Sequence, residues 1–324
     1  MRYRRFGRTE MMVSEVGFGA LAIGGLRWGE VREEDSLAAL RRALDLGVNF
    51  FDTADVYGRG RSEELIGRAF AGRRAHVIIA TKVGLDFYAG EPVRSNFDPA
   101  HIRAALERSL SRLDTDYVDV YQLHNPPQKL ASASGGVWET LADLKREGKV
   151  RFFGVSARTA NDARAYLRAA AAGEGASRRY GDTLQVAYNL LDQEAAAKGV
   201  FVEAFRRDWG VIARVPLASG MLSGRYTANH RFAATDFRAD WSRERLAQTA
   251  RRVGMLGFLA RPPQRTPAQA ALAFVLSQEA VATVIAGAKT AQQVEENALA
   301  CDEAPLPAED LLRAEALYES GFGE

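Results

Sequence analysis

Eight short segments rich in β-branched and aromatic residues recur along the chain, and a longer amphipathic segment separates each from the next. They occupy residues 14–21, 48–54, 76–83, 117–124, 151–157, 184–189, 210–216 and 282–288. Most lack polar alternation, which is typical of parallel strands that are covered on both faces. The repeated strand–helix units predict a parallel sheet in the α/β class. Eight units favour closure into a (β/α)8 TIM barrel over an open doubly wound sheet.

The segments outside this repeat are few. No linker, low-complexity stretch or shift in composition interrupts the 324 residues, so we expect a single domain over residues 1–324. Residues 2–13 predict a short N-terminal β-hairpin that caps the barrel floor. Two longer insertions, at about 84–97 and 222–241, each follow a predicted strand. We therefore expect both on the rim that carries the active site of such barrels.

Composition excludes several classes of protein. Lys and Arg number 43 and Asp and Glu 41, so a net charge of +2 provides no basic surface for nucleic acid. The single cysteine, Cys301, cannot form a disulfide within the chain. The N-terminus is basic, but neither an apolar signal segment nor a membrane-spanning stretch follows. We expect a cytoplasmic protein without a membrane partner, and nothing in the sequence indicates its oligomeric state.

The segment "GFGALA" at Gly17, Gly19 and Ala22 matches a dinucleotide-binding fingerprint. That fingerprint requires a helix to begin there, so that the helix N-terminus meets the pyrophosphate. The following "IGGLRWGE" is too rich in glycine for such a helix, and no acidic residue ends a second strand at the required distance. We interpret these glycines as a tight loop on the rim, and a Rossmann domain is the minority interpretation.

Polar side chains stand where three consecutive predicted strands end. Asp52 ends the second strand, Lys82 lies near the end of the third, and His124 ends the fourth, while Tyr57 follows Asp52. Taken singly, each is more simply a turn residue, a solvated lysine or a loop histidine. A barrel brings consecutive strand ends together, so the four predict one site.

The four residue types together suit carbonyl chemistry. A free phenol has a pKa of about 10, and we expect the Lys82 ammonium to lower the pKa of Tyr57 while Asp52 keeps Lys82 charged. Tyr57 would then donate a proton to a substrate oxygen that neutral His124 orients. The set contains no enzymic nucleophile and no metal-ligand cluster. A hydride from a nicotinamide is therefore the natural attacking group.

Several motifs, taken in order, resemble those of the aldo-keto reductase family. They are "FFDTADVYG", "IIATKVG", "DVYQLH", "FGVSA", "LQVAYN" and "VIAGAKTAQQVEENALA", and the resemblance covers nearly the whole chain. It implies a (β/α)8 barrel that binds NADP(H) in extended form and reduces carbonyl compounds to alcohols. Asp52, Tyr57, Lys82 and His124 match the family's catalytic tetrad, with Tyr57 as the acid.

The resemblance also implies a set of cofactor-binding residues. Ser156 and Gln185 match positions that bind the nicotinamide carboxamide, and Leu217 and Ser219 match the loop that holds the pyrophosphate. Lys289 and Thr290 match the site of the adenosine 2′-phosphate. Three more positions match those that hold the adenine end: Gln293, Glu296 and Asn297.

The chain departs from the family pattern at three positions. Ala157 replaces a frequent asparagine, and Arg214 stands where an aromatic ring usually stacks on the nicotinamide. The Arg214 charge would favour the neutral, reduced nicotinamide or help to hold an anionic substrate. Asn125 replaces a frequent tryptophan, which makes the pocket wall less apolar. We expect a small-molecule carbonyl substrate in a pocket lined by Trp28, Phe87, Tyr88, Asn125 and the 222–241 insertion.

Two other functions remain open. One is an NADP(H)-binding redox sensor or auxiliary subunit with little turnover, since the family includes regulatory members that keep the tetrad. The other is a lyase or isomerase that forms a Schiff base at Lys82, which a nearby Asp52 disfavours because a paired amine stays protonated. The resemblance favours NADP over NAD, and the physiological substrate and reaction direction are not readable from the sequence.

Overall fold

A computed structural model of the protein describes residues 1–131, 136–170, 181–302 and 304–323. Eight parallel strands form a closed barrel in the order β3–β4–β5–β8–β9–β10–β11–β12, with β12 pairing back to β3. This confirms the predicted (β/α)8 fold and excludes the open Rossmann-type sheet. The barrel strands are β3 Val16–Gly19, β4 Phe50–Asp52, β5 Ile78–Val83, β8 Val118–His124, β9 Val150–Ser156, β10 Thr183–Ala187, β11 Gly210–Arg214 and β12 Val281–Gly287.

Helices follow the barrel strands and cover the outside of the sheet. All seven residues of β8 are buried, which explains why the barrel strands show little polar alternation. The α-helices are α1 Glu33–Asp45, α2 Arg61–Ala69, α3 Pro99–Leu113, α4 Val137–Arg146, α5 Ala160–Ala169, α6 Glu194–Ala197, α7 Val200–Arg206, α8 Arg243–Met255, α9 Pro267–Leu276, α10 Ala291–Leu299 and α11 Ala308–Glu319.

The barrel floor is closed by the predicted N-terminal hairpin. Its strands β1 (Tyr3–Arg5) and β2 (Met12–Ser14) pair antiparallel. Phe6 and Val13 from this hairpin are fully buried in one apolar cluster with Phe50 and Ile212 from inside the barrel. The hairpin is therefore the apolar plug of the floor.

The barrel interior changes from apolar to polar along each strand. Phe50, Ala80 and Ile212 belong to the apolar cluster above the hairpin. Alternate residues of a strand point to the same face, so the next inward positions toward the rim are Asp52, Lys82 and Arg214. This two-residue step sets polar side chains at the carboxyl ends of these three strands.

The glycines of "GFGALA" do not precede a helix whose N-terminus could bind a phosphate. Gly17 and Gly19 lie within β3, and Gly19 pairs with Asp52 in the barrel. A short 3₁₀ turn at Ala22–Gly24 follows, in place of the long helix that the fingerprint requires.

Both predicted insertions form structure of their own. The first contains a two-stranded hairpin of β6 (Leu85–Asp86) and β7 (Arg94–Ser95). The second pairs with the loop after β3, because Trp28 forms an antiparallel bridge with Asp236 and Phe237 N–H donates to the Arg27 carbonyl. This contact joins two distant loops across one side of the barrel.

Candidate active site

Lys82 is the centre of the polar layer. Its side chain is fully buried. Nζ lies 2.5 Å from each carboxylate oxygen of Asp52 and 2.7 Å from the Thr53 carbonyl oxygen. It also lies 3.5 Å from the Tyr57 hydroxyl. The ammonium is therefore held between a carboxylate and a phenol, as the strand ends predicted.

The charges of this pair are set by burial and by mutual attraction. Loss of water disfavours the Lys82 ammonium, but Asp52 and Tyr57 together raise the pKa of Lys82 above its ordinary value. Burial also raises the pKa of Asp52, against the opposing effects of Lys82 and Gln185. Both Asp52 oxygens accept hydrogen bonds, so we describe the pair as ammonium and carboxylate.

Tyr57 differs from the sequence-based expectation. Burial raises the pKa of its phenol above the usual value, and the Lys82 ammonium offsets only part of that rise. The Asp52 carboxylate also acts against the phenolate. Lys82 acts in the expected direction, but the expectation of a lowered pKa at Tyr57 is wrong, because desolvation outweighs the one cation. Tyr57 keeps its proton at neutral pH.

The turn that carries Tyr57 depends on two glycines. Tyr57–Gly60 is a 3₁₀ turn in which Gly58 has φ of 63°. A Cβ atom on Gly24 would lie 2.9 Å from Gly58 N, and one on Gly58 would lie 2.3 Å from the Gly24 carbonyl oxygen. The loop after β3 therefore packs directly on the Tyr57 turn and fixes its position.

His124 lies against Tyr57 at the end of β8. The two rings are 5.8 Å apart between centroids and nearly perpendicular, at 81°. Nδ1 is buried and has no hydrogen-bond partner among the described residues. Burial lowers the pKa of His124 well below its usual value, and the Lys82 and Arg214 charges lower it further. The imidazole is therefore neutral, as the sequence predicted.

Gln185 extends the network beyond the four predicted residues. Its Nε2 donates to Asp52 at 2.9 and 3.1 Å, and its Oε1 accepts from the Ser156 hydroxyl at 2.9 Å. Ser156 and Gln185 were expected to hold a nicotinamide carboxamide. In this structure their side chains also connect two further strands to the Asp52–Lys82 pair, which sequence reasoning missed.

The loop after β11 has the concave backbone that suits an anion. Val215, Ala218 and Ser219 are left-handed, with φ of 58°, 47° and 58°. Successive left-handed residues in a turn create concavities lined by backbone N–H groups, and the strain of a left-handed valine is typical of functional loops. Leu217 and Ser219, expected at the pyrophosphate, lie in this loop.

The residues expected at the adenosine end gather at the start of α10. Thr290 caps the helix by accepting from Gln293 N–H, and the Gln293 side chain accepts from Lys289 N–H. The Lys289 ammonium donates to the Trp28 carbonyl. Burial lowers the pKa of Lys289, and the nearby Asp236 opposes this.

Two further residues expected at the adenine also have protein partners. Glu296 accepts from Arg225 at 2.6 Å, and the Asn297 amide donates to the Gly287 carbonyl at 3.5 Å. Arg225, in the 222–241 insertion, is a cation at this site that sequence reasoning missed, and no motif marked it.

The four residues expected to line the substrate pocket have different surroundings. Asn125 directly follows His124, and its N–H donates to the Ser156 carbonyl. The Trp28 ring packs on Phe237, at 5.0 Å between centroids. Phe87 stacks on Tyr88, whose hydroxyl accepts from Arg112 of α3. Asn125 thus adjoins the tetrad, whereas the contacts of Tyr88 lead toward α3.

A buried acidic cluster lies behind the Tyr57 turn. Glu63 is fully buried and accepts from Thr81 and Arg112. Asp55 is also fully buried, and neither of its oxygens has a well-formed hydrogen bond within the described residues. Burial raises the pKa of Asp55 well above its usual value, and Glu63 adds to this. Burial thus favours the protonated form of Asp55, which was not predicted as a site residue.

The described residues form neither a metal-binding cluster nor a membrane-spanning helix. They contain no group of three or more histidine, cysteine or acidic side chains arranged to hold a metal ion. Among the helices they form, none combines the length and the apolar character needed to cross a membrane.

Comparison with known proteins places this chain in a family. The family model described as "Aldo/keto reductase family" matches residues 15–319. The chain is 30% identical to an uncharacterized oxidoreductase, YqkF, of Bacillus subtilis over 96% of this chain and 94% of that protein. It is 29% identical to an NADH-specific methylglyoxal reductase of Escherichia coli over 91% of each.

A solved structure shows the same likeness in three dimensions. It is the holo form of the aldo-keto reductase AKR11C1 from Bacillus halodurans, with a TM-score of 0.79 and 29% identity. The match covers 98% of this chain and 96% of that one.

Proposed function

This chain belongs to the aldo-keto reductase family, and from its site we propose that it reduces an aldehyde or ketone to the alcohol with NADPH. The observation that carries the proposal is the buried Lys82 ammonium, which bridges the Asp52 carboxylate and the Tyr57 hydroxyl beside a neutral His124. These groups form a proton donor and a carbonyl-orienting group without any nucleophile.

Each residue has a defined part in the proposed reaction. Tyr57 donates its phenolic proton to the substrate oxygen, and the Lys82 ammonium stabilises the phenolate that remains. Asp52 keeps Lys82 charged, and Gln185 holds Asp52 in place. His124 is neutral, so it orients the carbonyl by a hydrogen bond without adding a charge. When bound, the reduced nicotinamide supplies the hydride.

The residues around this site fit an extended dinucleotide. Ser156, Gln185 and Arg214 stand at the nicotinamide end, and the left-handed loop with Leu217 and Ser219 suits a pyrophosphate. At the other end, Lys289 and Thr290 suit a 2′-phosphate, and Gln293, Glu296 and Asn297 suit the adenine. Lys289 is the basis for proposing NADPH over NADH.

The test is turnover of reduced cofactor with a reactive test aldehyde, run with both NADPH and NADH because one relative is NADH-specific by name. The Tyr57→Phe variant should lose kcat by on the order of 10³-fold, because it removes the proton donor. Its affinity for the cofactor should stay close to that of the wild type.

The matched control is Tyr166→Phe, which removes a hydroxyl of α5 that donates to the Pro127 carbonyl, outside the hydrogen-bond network of Lys82. This variant should keep its kcat. If the wild type turns over no aldehyde or ketone, or if Tyr57→Phe is as fast as wild type, the proposal fails. Tight cofactor binding without turnover would instead support the sensor or auxiliary-subunit function.

A further inference from the structure

Arg214 is a cation in the active site without a carboxylate of its own. It ends β11, and Nη2 donates to the carbonyl oxygens of Ala157 and Arg158 at 3.1 and 3.0 Å. These are its only hydrogen bonds within the part of the chain that the structure describes, and no acidic side chain there lies within ion-pair distance. The neighbouring Lys82, in contrast, has its charge matched by Asp52.

The Arg214 charge affects the pKa values of the reacting groups. It contributes to the lowered pKa of His124 and works against the raised pKa values of Tyr57 and Asp52. Outside the tetrad, Asp192 is the acid whose charge acts on Arg214, and among the described contacts it makes no hydrogen bond to the guanidinium. Anything that binds beside Tyr57 and His124 therefore meets a positive field, in a site where water screens little.

The two redox forms of a nicotinamide differ in charge at the ring. The oxidised ring carries a positive charge, and the reduced ring is neutral. We propose that Arg214 makes this protein bind the reduced cofactor more tightly than the oxidised one, and that this residue thereby favours loading of the site with reduced cofactor and release of the oxidised form. The inference rests on the proposed function only in that a nicotinamide binds beside Tyr57.

The arrangement of Arg214 suits this role. Its two backbone acceptors lie at the end of β9, so the guanidinium is held at a fixed place on the rim. A guanidinium remains charged at every pH at which the protein is folded, even though burial lowers the pKa of Arg214. The discrimination should therefore not change over the physiological pH range.

The test measures dissociation constants of all four cofactor forms by quenching of tryptophan fluorescence, without any turnover. The variants are Arg214→Gln, which removes the charge and can still donate to one carbonyl, and Arg214→Lys, which keeps the charge. Arg158→Gln is the matched control, because it removes an exposed charge from the adjacent rim position.

In the Arg214→Gln variant, the ratio of the NADP⁺ to the NADPH dissociation constant should fall by on the order of tenfold, as loss of a nearby charge predicts. The NAD⁺ to NADH ratio should fall equally, because the charge difference lies in the nicotinamide and not in the 2′-phosphate. Arg214→Lys and Arg158→Gln should keep the wild-type ratio within about twofold.

Three results would overturn the inference. In the first, the ratio of oxidised to reduced cofactor dissociation constants in Arg214→Gln stays at the wild-type value while both forms bind. In the second, this ratio shifts for NADP but not for NAD. In the third, the variant only raises KM for carboxylate-bearing aldehydes, which would make Arg214 a residue that binds the substrate. Absence of aldehyde turnover with a normal shift in the ratio would contradict the proposed function and leave the inference supported.

Discussion

At the scale of single residues, desolvation decides the charge state of the site. Tyr57 and His124 both lose water on folding, and both stay neutral, because no adjacent group compensates fully for the lost hydration. Lys82 stays charged because Asp52 contacts it directly. The site thus combines one buried ion pair with two neutral hydrogen-bonding groups.

The raised pKa of Tyr57 predicts a specific pH dependence of reduction. Because burial raises the pKa of Tyr57, the proton donor should keep its proton from neutral into mildly alkaline pH, so kcat for reduction should be level there and fall only at more alkaline pH. Steady-state kinetics with saturating aldehyde and reduced cofactor measure this. A decline centred near neutral pH that persists with a poor substrate, for which hydride transfer limits the rate, would show instead that Tyr57 is acidic when the cofactor is bound.

The lowered pKa of His124 predicts a loss of stability in acid. Below pH of about 6.5 the unfolded chain binds a proton at this histidine and the folded chain does not, so the free energy of unfolding falls as pH falls. The His124→Gln variant should lack this dependence. Between pH of about 6 and 5, the free energy of unfolding of the wild type should fall by up to about 1.4 kcal/mol per pH unit more than that of the variant.

Urea unfolding at a series of pH values measures this difference. His230→Gln, at an exposed histidine, is the control and should follow the wild type. Parallel curves for wild type and His124→Gln would mean that His124 takes up a proton in the folded protein.

At the scale of elements, the loop after β3 positions the turn that carries Tyr57. A methyl group at Gly24 would lie 2.9 Å from backbone atoms of Tyr57 and Gly58, which is closer than such atoms approach without a shift of the backbone. Gly24→Ala should therefore shift the phenol and lower kcat by on the order of 10²-fold, since small misplacements of a reacting group have effects of that size.

The matched control is Gly254→Ala in α8, where a methyl group meets no atom. It should keep full activity and gain at most about 1 kcal/mol in the free energy of unfolding, because alanine favours a helix over glycine and Gly254 lies in the last turn of α8. Equal activity of Gly24→Ala and the control, measured with the test aldehyde, would show that the turn does not depend on this contact.

The sequence predicted those parts of the structure that depend on local pattern. The eight strands follow from β-branched segments, and Asp52, Lys82 and His124 follow from polar residues at strand ends. The pKa direction of Tyr57 did not follow, because desolvation depends on how completely other elements cover the phenol. The bridge between Trp28 and Asp236 and the Gln185–Asp52 contact join distant segments, and no periodicity marks such contacts.

At the scale of the whole molecule, the floor and the rim of the barrel have separate tasks. The N-terminal hairpin buries Phe6 against Phe50 at the floor, with ring centroids 5.5 Å apart. The polar residues of the site lie at the opposite ends of the same strands. A substitution at the floor should therefore lower the free energy of unfolding without changing the reaction at the rim.

Phe6→Ala tests this division. It should lower the free energy of unfolding by about 3–5 kcal/mol, as expected for a fully buried phenylalanine. The dissociation constant for the cofactor at low temperature should not change. Met12→Ala, in the same hairpin but half exposed, should change stability by less than about 0.5 kcal/mol. A loss of cofactor affinity in folded Phe6→Ala would show that the two ends are coupled.

The most direct test of the central claim is a single turnover of protein preloaded with reduced cofactor and mixed rapidly with a test aldehyde. The absorbance of the reduced nicotinamide reports hydride transfer. We expect rapid loss of this signal for the wild type and a loss slower by on the order of 10³-fold for Tyr57→Phe, with the same amount of cofactor bound. Hydride transfer at the wild-type rate in Tyr57→Phe would show that Tyr57 is not the proton donor.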